Sequence, residues 1–435
     1  MKKHGVVIGT FLFLLAVTGA NAQVYQSGDL VAHIDAIIGS MPTTVGGGDY
    51  LQPNLTSRQL WREMIDHILA GEYDLAHADA LTKNYQVVIW TDTASAGNPV
   101  HVVLERTPTA TARFWGTYIF NTDPLRQHLV IQCPHPVYDT NTGYQSIRMY
   151  RTTAARAYFV SGTHRCNGTS YSPCDGTTTA CSSSSEPFRY SDMAHVVDAV
   201  FQVTTEAMLD NDASLLIVQP HGFAQSVGEP DLVISNGTTS WPSGPDYASA
   251  VAAAIEAIDG TLDANVVHVN PAASDLWGTT NTQGRLLNGS PDPCGTPDST
   301  PTGAFIHVEQ ARIGLRDTQT NWMKLTNAVA AAIPVDVSAV PGDFFAPGKG
   351  ISIVNTYANP FHGRTRVEFS VGRSGPVEME VYDIAGRRVM HTEVGSYDAG
   401  VHGLEWNAEQ LPAGTYILRL RQGDRSDSRR CLLLR

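Results

Sequence analysis

The sequence predicts an α/β domain with a mostly parallel or mixed central sheet, followed by a separate all-β module. Two patterns carry this expectation. From residue 128 short apolar runs alternate with stretches of helical periodicity, beginning HLVIQCPHP, SIRMYRTTAARA, AYFVSGTHR and ending TNWMKLTNAVAAAI. Strands alternating with helices bury their apolar faces on one shared sheet, whose functional residues lie at the carboxyl ends of the strands. After residue 350 only short strands follow, VNTYANPF, TRVEFSV, VEMEVYDI, RRVMHTEV, HGLEWNA, GTYILRLR and RRCLLLR, separated by Gly and Pro turns. That spacing is the mark of a small β-sandwich over residues 351–435. Residues 334–350, PVDVSAVPGDFFAPGKG, read as a linker between the two.

The elements follow in order. Lys2 and Lys3 precede an apolar run from Val6 to Val17, and Ala20-Asn21-Ala22 supplies small residues for cleavage. This is a secretory signal peptide over residues 1–22, too short in its apolar part to span a bilayer, which takes about 20 residues. The mature chain starts near Gln23, and no later segment reads as transmembrane. Residues 23–127 form an N-terminal segment expected to pack on the domain of residues 128–333. LTSRQLWREMIDHILAGEYDLAHADAL has helical spacing with a break at Gly71 and a cap at Asn54 or Thr56. YQVVIWTD, HVVLERTP and FWGTYIFN then read as strands. Within 128–333, YSDMAHVVDAVFQVTTEAML predicts a helix capped by Ser191, and DYASAVAAAIEAI another. SLLIVQPHGF, DLVISNGT, NVVHVNP and AFIHVEQAR predict strands.

A formal charge of -13 argues against nucleic-acid binding, which needs a basic face. Four of the six cysteines, Cys166, Cys174, Cys181 and Cys294, sit in Ser/Thr/Gly-rich or Pro-rich loops that cannot pack a core unaided. One or two disulfides among them are expected, with the pairing open. Their spacings do not match the short paired gaps of a structural zinc site. Cys133, inside an apolar run, reads as a buried thiol, and Cys431 as unpaired.

Catalytic residue types collect at four strand ends. His135 follows LVIQC, with Asp139 four residues on; His221 follows SLLIVQ, with Gly222 permitting close backbone approach. Two strands ending in Pro-His give a His135/Asp139/His221 set able to ligate Zn²⁺ and leave a fourth position for water. His307 and Glu309 share one face of the strand FIHVEQ. An ionised Glu309 there is costly without a partner; it suits a general base that activates water and then protonates a leaving amine, or else an ion pair with Arg312 or Arg316. His164 and Arg165 end AYFVSG, where they suit carbonyl polarisation and a bidentate grip on a substrate carboxylate. Asp192 and His195, three apart on the predicted helix, read as supporting charges.

Two resemblances follow from these residues. NPFHGRTRVEFSV, VEMEVYDIAGRRV, LPAGTYILRLR and RRCLLLR resemble the C-terminal sorting domain of type IX secretion cargo and the related immunoglobulin-like domain of flagellar hook-capping proteins. This implies an outer-membrane secretion machinery as partner and a secreted or cell-surface destination by way of the periplasm. PHPVYDTNTG, SGTHR, QPHGF and FIHVEQARIGLR, in that order, resemble the N-formylglutamate amidohydrolase family. They are more distantly similar to zinc carboxypeptidases and to the aspartoacylase and succinylglutamate desuccinylase group. The resemblance implies a three-layer α/β/α domain, one zinc held by His135 and His221, Glu309 as the base, and a nearby Arg, Arg312, for the substrate. It departs from the carboxypeptidase pattern in the four-residue step to Asp139 where that pattern has three, so Asp139, His164 and His195 all stand as the third ligand.

The expected function is a secreted zinc-dependent hydrolase of an amide bond in an N-acyl amino acid, peptide or glutamyl-type substrate. The alternative is a non-catalytic cell-surface binding protein or adhesin. No G-x-S-x-G elbow, P-loop or G-x-G-x-x-G motif points to serine-hydrolase or nucleotide chemistry.

Overall fold

The computed structural model describes residues 23–336 and 351–434, apart from 111, 112, 298, 299, 358–360, 372, 373, 385, 399 and 424. The leader of residues 1–22 and linker residues 337–350 lie outside the described residues.

The chain opens with β1 (Val24–Gly28) and α1 (Leu30–Gly39), then α2 (Leu55–Leu69) and α3 (Tyr73–Leu81). Asn54 caps α2 by accepting from Ser57 N, and Gly71 takes the positive φ that turns the chain between α2 and α3. Strands β2 (Tyr85–Asp92), β3 (Val100–Arg106) and β4 (Thr117–Asn121) follow, then β5 (Arg126–Cys133), α4 (Thr142–Thr153) and β6 (Ala155–Val160). The disulfide-rich stretch contains only a two-stranded ribbon, β7 (Thr177–Thr178) and β8 (Glu186–Pro187). The remainder is α5 (Val200–Asn211), β9 (Leu216–Pro220), β10 (Leu232–Ser235), α6 (Tyr247–Ile258), β11 (Ala264–Val266), α7 (Thr282–Leu287), β12 (Phe305–Gln310) and α8 (Gln319–Ala332).

All strands except the ribbon join one ten-stranded mixed sheet, ordered β1-β2-β3-β4-β6-β5-β9-β12-β10-β11. The central four, β6, β5, β9 and β12, are parallel, so their carboxyl ends lie on one edge. The sheet runs unbroken through residue 127, because β4 pairs antiparallel with β6. Strand alternation divides the core. Val88, Ile131 and Val218 face α1, α4, α6 and α8, whereas Val87, Val130 and Ile217 face α2, α3, α5 and α7. The three layers are therefore helices, sheet, helices.

The segment expected to be a helix capped by Ser191 is helical only from Val200. Residues 191–199 instead hold a single 3-10 turn, Met193–His195. Ser191 Oγ donates to Arg165 O and accepts from Gly168 N rather than capping a helix. Met193, Val196 and Ala199 do bury, which explains the apolar period that suggested a helix.

Past the linker, two sheets share one core. The first is three-stranded, β13 (Ile351–Tyr357), β15 (Arg364–Val371) and β18 (Gly400–Asn407). The second contains β14 (Phe361–His362), β16 (Gly375–Asp383), β17 (Arg388–Tyr397), β19 (Gly414–Gln422) and β20 (Arg425–Leu434). Phe361, Phe369, Val381, Trp406 and Leu418 fill the space between them.

Candidate metal centre

Each residue of the centre is placed by the end of a parallel strand. His135 stands two residues past β5. The chain then makes one α-turn closed by Asp139 N donating to His135 O, and Thr142 Oγ1 donates to Asp139 O as α4 begins. That turn folds Asp139 back on His135, and it accounts for the four-residue spacing. His221 directly follows β9.

Three atoms of ligand type meet in a triangle. His135 Nδ1 lies 3.3 Å from Asp139 Oδ2, His221 Nδ1 lies 3.4 Å from the same oxygen, and the two Nδ1 atoms are 3.2 Å apart. A tetrahedral ion with bonds of about 2.0–2.2 Å has ligand–ligand edges of about 3.3–3.6 Å. The residues fit a metal ion on that measure. The far nitrogens fit as well: His135 Nε2 is 2.7 Å from Asp192 Oδ1 and His221 Nε2 is 3.2 Å from Gln219 Oε1. Acceptors there place the ring protons on Nε2 and turn the Nδ1 lone pairs toward each other, an arrangement that a cation relieves.

Asp192 organises the rim. Its Oδ2 accepts from Arg165 Nε at 2.8 Å and Nη2 at 2.5 Å, and its Oδ1 also meets His195 Nδ1 at 3.0 Å. Arg165, His195 and His135 hold this carboxyl well below its ordinary range despite full burial. Burial and the Arg165 charge oppose protonation of His135, but Asp192 and Asp139 outweigh them and raise its pKa. Burial lowers His221 to about 4. His195 stacks on Phe188 at 3.6 Å, and His164 Nδ1 accepts from Cys166 N while its ring edges Tyr138. His195 also forms, with His135 and Asp192, a second group whose ligand-type atoms lie within 4.8 Å of one another, whereas Asp139 is the carboxylate that meets both His135 and His221.

Beside this triangle the His307 ring lies 4.3 Å from that of His221, tilted by 33°, with its Nε2 3.6 Å from Glu309 Oε1. Ligand-type atoms of His221, His307 and Glu309 all lie within 4.8 Å of one another. His307 Nδ1 and Glu309 Oε2 are buried and have no hydrogen-bond partner among the described residues. Such orphaned atoms are costly unless a ligand meets them. Burial, and then the Asp139 charge, push Glu309 up to about 8. Burial and the neighbouring histidines hold His307 well below its usual value.

Neither Arg312 nor Arg316 pairs with Glu309. Arg312 is exposed after β12, and its guanidinium has no hydrogen-bond or ion-pair partner among the described residues. Arg316 is buried and donates to the carbonyls of Gln310, Thr140 and Phe223, stapling the loops after β12, β5 and β9. Gly222 makes room for it, since a Cβ there would fall 2.1 Å from the guanidinium carbon. Two disulfides, Cys166–Cys181 and Cys174–Cys294, secure the loop between Arg165 and Asp192, and Cys133 and Cys431 are free and buried.

Sequence reasoning missed Gln219, and it gave Asp192 and Arg316 minor parts. Their signals were a glutamine inside a wholly apolar strand, an aspartate before a buried segment, and an arginine close after a strand end.

An α/β protein with a buried cluster of His and Asp side chains able to hold a metal ion is the class that fold and site define. The comparisons add the destination: residues 355–433 match the family model described as a secretion system C-terminal sorting domain. The protein is accordingly a type IX secretion product, secreted or held at the cell surface. No helix of the described residues is long and apolar enough to cross a membrane. Among curated proteins no sequence matches this chain. Similar solved structures include PorZ, an essential surface component of the type IX secretion system of Porphyromonas gingivalis, at 17% identity, covering 19% of this chain and 11% of that one, TM-score 0.15. Another is the CARDB domain of a Pyrococcus furiosus protein with di-metal ions, at 13% identity, covering 19% and 90%, TM-score 0.14. A third is inactive OgpA of Akkermansia muciniphila with an O-glycopeptide substrate, at 12% identity, covering 71% and 93%, TM-score 0.15. At these scores none of the likenesses bears on function.

Proposed function

We propose that this is a secreted zinc-dependent hydrolase that cleaves an amide bond in an N-acyl amino acid, peptide or glutamyl-type substrate. In this reading residues 128–333 supply the chemistry and residues 351–435 the sorting signal. The observation that carries it is the ligand triangle of His135, Asp139 and His221 with an unpartnered, buried carboxylate oxygen of Glu309 beside it. When bound, zinc supplies a Lewis acid and lowers the pKa of a water to about 7.

The chain's own residues do the rest. Glu309 Oε2 takes the proton of the attacking water and passes it to the leaving nitrogen. A carboxyl with its pKa near working pH suits both halves of that transfer. Arg165 uses Nε and Nη2 on Asp192, so its Nη1 remains to stabilise the carbonyl oxygen as charge develops there. His164, whose Nδ1 is already an acceptor, offers Nε2–H to the same oxygen. Arg312, exposed at the rim, is the outlying contact for a substrate carboxylate.

The test is the metal content of the mature chain beside His135→Ala and His221→Ala, followed by assay on N-acyl amino acids and acidic peptides. Stoichiometric zinc, lost in both variants, with hydrolysis that disappears alongside it, is expected. A wild-type chain that takes up no zinc overturns the reading and leaves a surface binding protein.

A further inference from the structure

The two histidine ligands are oriented by unlike partners. His135 leans on a carboxylate, whereas His221 leans on a neutral amide, Gln219. An amide presents either oxygen or nitrogen, and only the oxygen turns His221 the right way. The packing around Gln219 fixes that choice from two sides.

On one side Asn281 Oδ1 caps α7 by accepting from Gly284 N at 2.9 Å, so Asn281 Nδ2 must donate, and it reaches Gln219 Oε1 at 2.7 Å. On the other side Thr205 Oγ1 donates to Phe201 O at 2.9 Å and therefore accepts from Gln132 Nε2, also at 2.9 Å. Gln132 then presents its oxygen to Gln219 Nε2 at 2.7 Å. Gln283 Oε1 accepts from the same nitrogen at 3.1 Å while its own Nε2 donates to Met193 O and Gln202 Oε1. Gln132, Gln202, Gln219 and Gln283 are fully buried, as is Thr205. Water is excluded from these positions, so a reversed amide would leave like atoms facing like at several points.

We infer that Gln219 is a positioning residue: this buried amide relay, anchored by the α7 cap and by α5, sets His221 as the Nε2–H tautomer and presents its Nδ1 lone pair to the metal. The inference rests on the reading of His221 as a ligand. Gln219 itself touches no metal, and loss of such an outer partner lowers metal affinity by about 10–100-fold.

Two variants of the mature full chain test it. Gln219→Met removes the acceptor. Asn281→Asp keeps the α7 cap but sets a carboxylate against Gln219 Oε1, favouring the reversed amide, and it carries the test if Gln219→Met does not fold. The readouts are zinc affinity by chelator competition and the His221 ring tautomer by nitrogen NMR of the metal-free protein, with the signal assigned by its loss in His221→Ala. Expected are an Nε2–H His221 in the wild type, a gain of Nδ1–H in the variants, and zinc binding weaker by about 10–100-fold. Variants that keep both the wild-type tautomer and affinity overturn the inference while leaving the metal centre intact. An Nδ1–H His221 in the wild type also overturns it. Wild-type protein that shows the Nε2–H tautomer but binds no zinc sinks the metal reading instead.

Discussion

Replacing Glu309 by glutamine separates moving a proton from holding the metal, and it has two opposite consequences. Glu309 is part-buried, its Oε2 is buried without a hydrogen-bond partner among the described residues, and its carboxyl is raised from 4.5 to about 8 in the folded chain. A raised carboxyl pKa means that the fold prefers the neutral form. Its favourable contribution is complete below pH 4.5 and is lost as pH rises from there to about 8. In the metal-free protein at pH 7 the folded carboxyl is still mostly protonated while the unfolded one is ionised, so keeping that proton costs the fold about 3 kcal/mol, from about 1.36 kcal/mol per pH unit above the unfolded value. Glu309→Gln stays neutral throughout, so metal-free variant protein should be more stable than wild type by up to about that amount at pH 7, and by almost nothing at pH 4. Hydrolysis should fall by about 10²–10⁴-fold, the usual worth of a general base, with zinc retained. Urea titrations of chelator-treated protein at both pH values, with parallel rate measurements, check this. A variant that is no more stable at pH 7 than at pH 4 relative to wild type, or one that hydrolyses normally, refutes the reasoning.

Asp192→Asn leaves the Arg165 charge without its buried partner and weakens the acceptor behind His135. Stability should fall by about 3–5 kcal/mol and zinc affinity by about 10–100-fold, measured by melting and chelator competition. Reducing Cys174–Cys294, which spans a sequence separation of 120, removes up to about 4–5 kcal/mol on the loop-closure account; thermal melting with and without reductant reads it. Removing residues 337–435 should leave zinc binding unchanged but abolish delivery outside the cell, as cell fractionation of the producing strain would show.

Legibility in the sequence followed how local each signal was. The alternation of strand and helix, and its replacement by strands alone after residue 350, depends on short-range periodicity and translated directly into a core on each face of one sheet and a separate β core. His135 and His221 were visible because each closes an apolar run, and Glu309 because a carboxylate is out of place inside one. The spacing left Asp139, His164 and His195 as alternatives, since nothing in it announces the α-turn that returns Asp139 to His135. The stretch from Asp192 to Ala199 misled because its apolar residues do bury, while the ion pairs of Asp192 with groups far away in sequence hold it out of a helix. β1 and α7 are short and take their stability from partners: β1 from pairing along β2, α7 from packing on α5 and β12. The glutamines at 132 and 219 were passed over inside apolar strands, and their partners Asn281 and Gln283 come from the cap and first turn of α7, a helix too short to show a period.

The order of strands has a bearing on when the molecule is finished. β12 enters between β9 and β10, although β10 and β11 precede it in the chain. Until residues 305–310 are in place, β9 lacks a neighbour on one side and the β10–β11 pair is detached from the rest of the sheet. Closing so distant a pairing is slow, because the entropy of a long loop is lost before any contact rewards it. The last central strand to be made also brings Glu309 with it. The sheet therefore stays incomplete until most of the chain has been made, a property that suits a polypeptide destined for secretion.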